Sequence, residues 1–297
     1  MKKLKIGYFA DGPWSHNALT ELLSDDTLHV SFICARNDTP DSVLKSMAIE
    51  NNVDFITHPK INSEEFVGWM MVYECDLFVS MSFNQIFYKE LINLPPLKTI
   101  NCHAGKLPFY RGRNILNWAL INDESEFGIT VHYVDEGIDT GDIVVQRSYP
   151  ITDEDDYSTL LERAYEACST NLYEAIKDIQ QGSVTRVVQK SIHPKGFYCT
   201  ARIKGDEQLE WNQLSRDIFN FVRAICQPGP EARTFLGDKE MNINKVQYLP
   251  DAPVYKGVPG SIVGIESDAF YVKTADSYIK VTQWSGCSKP RIGERLK

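Results

Sequence analysis

The chain has 297 residues, 43% of them apolar, and a formal net charge of −9. That length supports one large domain or two smaller ones with a sizeable core, and the acid excess disfavours nucleic acid as a partner, since such binders usually carry a basic excess or stripe. No run approaches the roughly 20 apolar residues of a membrane span, and the N-terminus is too short in apolar residues for a signal peptide, so a cytoplasmic protein with no membrane attachment is expected.

In chain order, residues 5–9 read as a buried strand, followed by the loop Ala10-Asp11-Gly12-Pro13-Trp14 and a helix over 15–23. A second strand covers 30–34, and Asp41 opens a helix that carries Val43, Leu44, Met47 and Ala48. A strand over 53–56, a helix over 63–71 and a strand over 77–79 continue the alternation, which predicts an α/β fold with a doubly wound, mostly parallel sheet. A short helix is expected over 114–121. A long one follows over 157–181, with Leu160, Leu161, Ala164, Ala167 and Cys168 on one face. From Asp206 the pattern changes: a helix over 214–226, the breaker Gln227-Pro-Gly-Pro230, then short runs at 234–236, 241–246, 260–265, 269–273 and 278–284. Short strands punctuated by Gly and Pro predict a small β-barrel-like (OB-like) domain. The expected domains are 1–203 and 204–297. Seven unpaired-looking cysteines fit reduced thiols better than a disulfide framework or a zinc site.

Residues 101–142 hold most of the candidate chemistry. Asn101 and His103 are one residue apart at the end of an apolar run, so strand alternation places both side chains on one face and Cys102 on the other, in the core. Such a pair can polarise a carbonyl and stabilise an oxyanion; it can equally cap the strand and bond to loop backbone. Asp135, Glu136, Asp139 and Asp142 crowd one glycine-punctuated turn. They form a solvated turn with Asx roles, or one of them orients and charge-stabilises His103; the spacing does not say which. A calcium loop ranks low, because the ligand spacing and the final glutamate are missing, and no metal is expected. Arg111 and Arg113 sit on a loop, as ordinary solvated charge or as a grip for a diphosphate. Gly12 stands alone after the first strand, which weakens a dinucleotide reading; Asp11 and Trp14 on that loop are candidates for greeting a nucleotide. His132 lies on a strand, where a satisfied buried histidine is the default.

Together, Asn101-x-His103, Leu107-Pro108, Tyr110-Arg111-Gly112 and the Asp-x-Gly-x-Asp-Thr-Gly-Asp turn resemble the catalytic core of the formyltransferases that use N10-formyltetrahydrofolate. The resemblance extends over nearly the whole chain. It implies a Rossmann-like folate-binding domain, a C-terminal barrel with an architectural role and a homodimer contact as one option, and a catalytic triad of Asn101, His103 and Asp139. It also implies a pterin pocket lined by the backbone of Gln85, Ile86 and Phe87 and by the loop Val134, Asp135, Gly137 and Ile138, with His132 nearby.

Within the family, residues 111–122 and 128–132 look most like enzymes that formylate nucleotide-linked amino sugars. The implied acceptor is a dTDP- or UDP-linked amino sugar, foremost dTDP-4-amino-4,6-dideoxyglucose, for surface polysaccharide (O-antigen) assembly, with Asp11, Trp14, Arg111 and Arg113 as candidate substrate contacts. The initiator-tRNA branch usually has a basic insertion after the second strand; here residues 34–43 hold one basic residue, Arg36. A methionyl-tRNA formyltransferase, a formyl-folate hydrolase and a non-catalytic sugar-nucleotide sensor are the alternatives.

Overall fold

The computed structural model describes residues 3–297. The first stretch alternates β1 (Leu4–Ala10), α1 (Pro13–Ser24), β2 (Leu28–Ala35), α2 (Ser42–Glu50), β3 (Asp54–Thr57), α3 (Glu64–Val72), β4 (Leu77–Met81), α4 (Lys89–Ile92) and β5 (Thr99–His103). There follow β6 (Arg111–Gly112), α5 (Ile115–Ile121), β7 (Glu126–Tyr133), β8 (Ile143–Pro150), α6 (Tyr157–Gln181), α7 (Gln189–Ile192), β9 (Tyr198–Cys199) and α8 (Ser215–Ile225). Five strands close the chain: β10 (Ala232–Leu236), β11 (Lys239–Gln247), β12 (Ile262–Ile265), β13 (Phe270–Lys273) and β14 (Tyr278–Ser285).

The chain forms two compact units. One takes Met1–Gly112, Phe127–Tyr149 and Glu162–Cys199; the other takes Arg113–Glu126, Pro150–Leu161 and Thr200–Lys297. The expected boundary at 203/204 lies a few residues into the last of these stretches, and the second unit also draws in 113–126 and 150–161.

The first unit is built on a seven-stranded sheet in the order β3-β2-β1-β4-β5-β7-β8. Its strands from β3 to β5 run parallel, and all five residues of β4 are buried, the continuous apolar reading of a strand covered on both faces. The direction reverses at β7, which pairs antiparallel with β5. One side of the sheet is packed with phenylalanines. The Phe9 ring meets Phe32, Phe78 and Phe87 edge-on at centroid distances of 5.4, 5.3 and 4.9 Å, and Val134 packs on the same cluster. Two segments with expected roles, 85–87 and 134–138, are thereby anchored to one core.

In the second unit α8 packs against α5 and β11. The five-stranded sheet runs β10-β11-β14-β13-β12, with every pair antiparallel. The end of the chain closes it: Leu296 bridges to Leu236 beside one edge and Arg295 to Ser261 beside the other. Both edge strands find partners in the tail, the barrel-like solution to an exposed edge. Among the described residues no helix is long and apolar enough to cross a membrane.

Helix starts follow sequence chemistry. Ser63 caps α3 by accepting from Phe66 N, and Asp41 caps α2 by accepting from Val43 N (2.8 Å) and Leu44 N (2.9 Å). The second oxygen of Asp41 accepts from Gly12 N (3.0 Å) and pairs with His16 Nε2 (2.9 Å), so one carboxylate starts a helix and pins the loop after β1. Burial pushes its pKa up, but the Leu44 N–H and His16 outweigh it and the carboxyl sits below its ordinary value. Asp41→Ala is expected to lower stability by about 1–2 kcal/mol, the upper end of the cap range, measured as the urea midpoint at constant m-value.

Candidate active site

On β5 the side chains of Asn101 and His103 share a face by alternation. The antiparallel register sets His132 of β7 directly opposite Asn101, so three polar groups meet on one patch of sheet. Asn101 Nδ2 lies 3.3 Å from His132 Nε2. The other ring nitrogen, Nδ1, bonds to the carbonyl of Tyr133 at 2.8 Å. A carbonyl only accepts, so Nδ1 carries hydrogen.

His103 is buried. Its Nε2 donates to the Tyr110 carbonyl at 2.7 Å, which turns Nδ1 toward the Asp139 carboxylate at 3.7 Å. This contact depends on a glycine. A Cβ on Gly105 would stand 2.5 Å from His103 Nε2 and 2.5 Å from the Tyr110 oxygen, so any side chain there would drive the ring from its carbonyl.

Asp139 completes the cluster. Its Oδ2 accepts from Gly112 N at 2.9 Å, and its Oδ1 lies 3.5 Å from His132 Nε2. Gly112 adopts φ +96°, and a Cβ there would sit 2.3 Å from the Cys199 carbonyl; only glycine brings that N–H to the acid. Burial alone would raise the Asp139 pKa. The charge of His103, the His132 hydrogen bond and the Gly112 N–H overcome it and hold the carboxyl well below the usual range.

Of the four acids in the turn, Asp139 is thus the one turned to His103. Asp135 is a turn builder, accepting from Gly137 N (3.1 Å) and Thr140 Oγ1 (2.6 Å), while Glu136 is exposed. No metal-ligating cluster occurs among the described residues. Gln189, which the sequence pattern did not flag, holds the turn in place. Its Nε2 donates to the carbonyls of Asp139 (2.9 Å) and Gly141 (2.8 Å), and its Oε1 accepts from Arg111 Nε and Nη2. Tyr110 and Gly112 act through backbone atoms, and Gly105 through the lack of a side chain; no residue-type signal marks them.

The other expected contacts fall in several places. Arg111 is a correction: its guanidinium is buried, bonded to Gln189 and the Lys195 carbonyl and set over the Tyr198 ring, so it serves as an internal clamp rather than a diphosphate grip. Arg113 is exposed. Asp11 pairs with Arg36 at 3.3 Å, and Trp14 packs edge-on against Tyr165. Gln85 spends its amide on Ile61 N and the His58 carbonyl, Phe87 is in the core, and Ile86 and Ile138 stay 59% and 52% exposed.

Residues 9–176 match the family described as formyl transferase, and 203–293 match its C-terminal domain. The chain belongs to the formyl transferase family. As a formyltransferase it takes its one-carbon unit from N10-formyltetrahydrofolate. The methionyl-tRNA formyltransferase of Clostridioides difficile is 31% identical over 258 residues, 86% of this chain and 82% of its own. Among solved structures, WlaRD, a sugar 3N-formyl transferase crystallised with dTDP and 5-N-formyl-THF, superposes with a TM-score of 0.69 at 21% identity, covering 98% of this chain and all of its own. An N-formyltransferase from Helicobacter canadensis, in complex with folinic acid and dTDP-3-aminofucose, gives 0.67 at 19% identity, covering 96% of this formyltransferase and all of its own chain.

These relatives overturn the amino-sugar acceptor and the polysaccharide role expected with it. The sequence relatives that cover most of the chain are methionyl-tRNA formyltransferases, whereas likeness near 20% identity speaks for fold alone. The physical reason is visible in the site. Arg111, Gly112 and His132, from the stretches that suggested a sugar, hold Asp139 in place, so likeness there reports the transfer chemistry shared by the family.

Gly105→Ala is expected to leave the formyltransferase folded while lowering kcat/KM about 100-fold, the cost of a displacement near 1 Å at a reacting group; steady-state kinetics with circular dichroism checks it. Because the Asp139 pKa is depressed on folding, its stabilisation is complete above the unfolded carboxylate pKa and is lost as pH falls toward the folded value. Urea midpoints recorded from about pH 5 down to pH 2 should therefore fall more steeply for the native chain than for Asp139→Asn.

Proposed function

We propose that this formyltransferase carries the formyl group of N10-formyltetrahydrofolate to the α-amine of methionyl-tRNA, with Asn101, His103 and Asp139 as its reacting groups. The observation that carries the chemistry is the convergence of the Asp139 carboxylate on His103, beside Asn101 and His132. The acceptor rests on the relatives: eight bacterial proteins at 26–31% identity bear that name.

A second feature supports an RNA acceptor in spite of the net charge. Residues 179–205 contain Arg186, Lys190, Lys195, Arg202 and Lys204 and no acid. Phosphate contacts are local, so such a run counts for more than the global balance. The loop after β2 adds nothing to it, because Arg36 is committed to Asp38 and Asp11.

Bound folate supplies an activated formyl group. The residues present suit it: Phe87 and Val134 are tied to one aromatic core, and the apolar side chains of Ile86 and Ile138 are exposed, as the faces of a flat heterocycle require. In this reading the backbone of Gln85, Ile86 and Phe87 and the turn Val134, Asp135, Gly137 and Ile138 hold the pterin, near His132. The amine nitrogen attacks the formyl carbon. Asn101 and the Nδ1–H of His103 in its protonated, imidazolium form stabilise the developing oxyanion. The 3.7 Å separation of Nδ1 from Asp139 exceeds a hydrogen bond, so that nitrogen remains available to the reacting atoms. As the new C–N bond forms and the C–N10 bond breaks, the proton lost by the amine passes through Asp139 and His103 to N10.

Incubation with formyl-folate and charged initiator tRNA should yield formyl-methionyl-tRNA, followed by mass spectrometry of the released amino acid. Formyl transfer only to amino sugars, or formate release without any acceptor, would overturn the reading. His103→Asn and Asn101→Ala should each lower kcat about 10²- to 10³-fold with folding intact, the usual cost of losing one oxyanion donor.

A further inference from the structure

The second unit carries an open cleft of about 410 Å3 that the formyl-transfer chemistry does not use. Its polar lining is Asn114, Asn117, Tyr157, Arg202, Lys204 and the Glu207 carboxylate, the last neutralised by Arg233 at 3.2 Å, with Gly229 among its apolar neighbours. We infer that this cleft binds a phosphate ester, with the Arg202 guanidinium as its anchor.

The Arg202 guanidinium has no carboxylate partner of its own among the described residues. Arg202 is half-buried and has no ion pair within 4 Å among the described residues; its guanidinium lies over the Phe221 ring at 5.4 Å, and its one side-chain hydrogen bond is from Nη2 to the Asp206 carbonyl at 2.6 Å. The two carboxylates closest in sequence are engaged elsewhere. Asp206 accepts from Ile203 N at 2.8 Å; Glu207 accepts from Gly205 N at 2.7 Å and pairs with Arg233 at 3.2 Å. Burial pushes the Arg202 pKa down and outweighs the opposing pull of Asp206 and Glu207. A guanidinium withdrawn from water without a carboxylate is costly, and an anion entering the cleft relieves that cost.

The rest of the lining selects for oxygen acceptors. The Tyr157 hydroxyl makes no hydrogen bond among the described residues. Asn114 Oδ1 is occupied by Arg202 N at 2.9 Å, which leaves its amide N–H groups free to donate. Lys204 is exposed and has no ion pair among the described residues, a second positive charge at the same cleft. A planar fork, an ammonium, an amide donor and a hydroxyl make a donor set suited to a phosphate, and the volume lies in the range of small-ligand sites. The phosphate can come from a free mononucleotide, as a monoester, or from an RNA strand, as a diester.

The test uses the full-length protein without formyl donor, so binding is read apart from formyl transfer; Arg202 and Lys204 belong to the basic run at 179–205, so the CCA arm bears on the RNA acceptor and the AMP arm does not. Isothermal titration with AMP and, separately, with the trinucleotide CCA distinguishes the sources: tighter AMP binding marks the monoester, tighter CCA binding the strand, and either supports the site. Arg202→Gln should weaken the better ligand roughly tenfold or more, as loss of a charged hydrogen-bond donor predicts, and Arg202→Lys should retain part of the affinity. Tyr157→Phe, the milder change, should weaken it as well and keeps the test valid if Arg202→Gln does not fold. Binding of neither ligand at millimolar concentration, or unchanged affinity in the folded variants, overturns the inference.

Discussion

A carboxylate withdrawn from water is tolerable only when its charge is answered on every side. At Asp139 the answers are two imidazoles and one backbone N–H, and each comes from a different stretch of chain. His103 belongs to β5, His132 to β7 and Gly112 to β6. The sheet reversal at β7, the left-handed backbone of Asp139 at φ 53° and the glycines at 105 and 112 all serve the same requirement. Remove the acid and these features lose their common purpose.

The arrangement divides its work between fixed and adjustable contacts. Main-chain groups, the carbonyls of Tyr110 and Tyr133 and the N–H of Gly112, hold the imidazoles and the acid with short bonds. The contacts between the side chains themselves are longer, from 3.3 to 3.7 Å. Rigid backbone thus supplies orientation, while the looser gaps leave the reactive atoms uncommitted. This is the distribution expected of a site that must engage a changing charge without reorganising.

The sequence revealed those parts that rest on local periodicity. Alternation placed Asn101 and His103 on one face, the strand–helix rhythm predicted the parallel sheet, and Asp41 announced the start of α2. What depended on long-range pairing stayed hidden. Four acids in one turn look alike until the chain folds, and resemblance to a family, not spacing, pointed to Asp139. His132 passed as an ordinary buried histidine because its partnership arises from the β5–β7 register, a relation between residues 31 positions apart. Arg111 looked like solvated charge or a ligand grip because a loop arginine gives no hint that Gln189 and Tyr198 will enclose it. The basic run at 179–205 was masked by averaging over a net-acidic chain. The stretch 113–126 reads as part of the first domain, yet α5 packs on α8, and an amphipathic pattern does not name its partner.

Gln189 has a consequence for any attempt to move this chemistry. Its single amide fastens the Asp139 turn and the Arg111 loop from a point fifty residues downstream of the acid. A graft of segment 101–142 onto a foreign scaffold would carry all three proposed reacting groups and arrive without their latch. The acid would then swing freely in solvent, its proton affinity would drift back to that of an ordinary surface carboxylate, and the transplant would keep the recognisable motif while losing its poise.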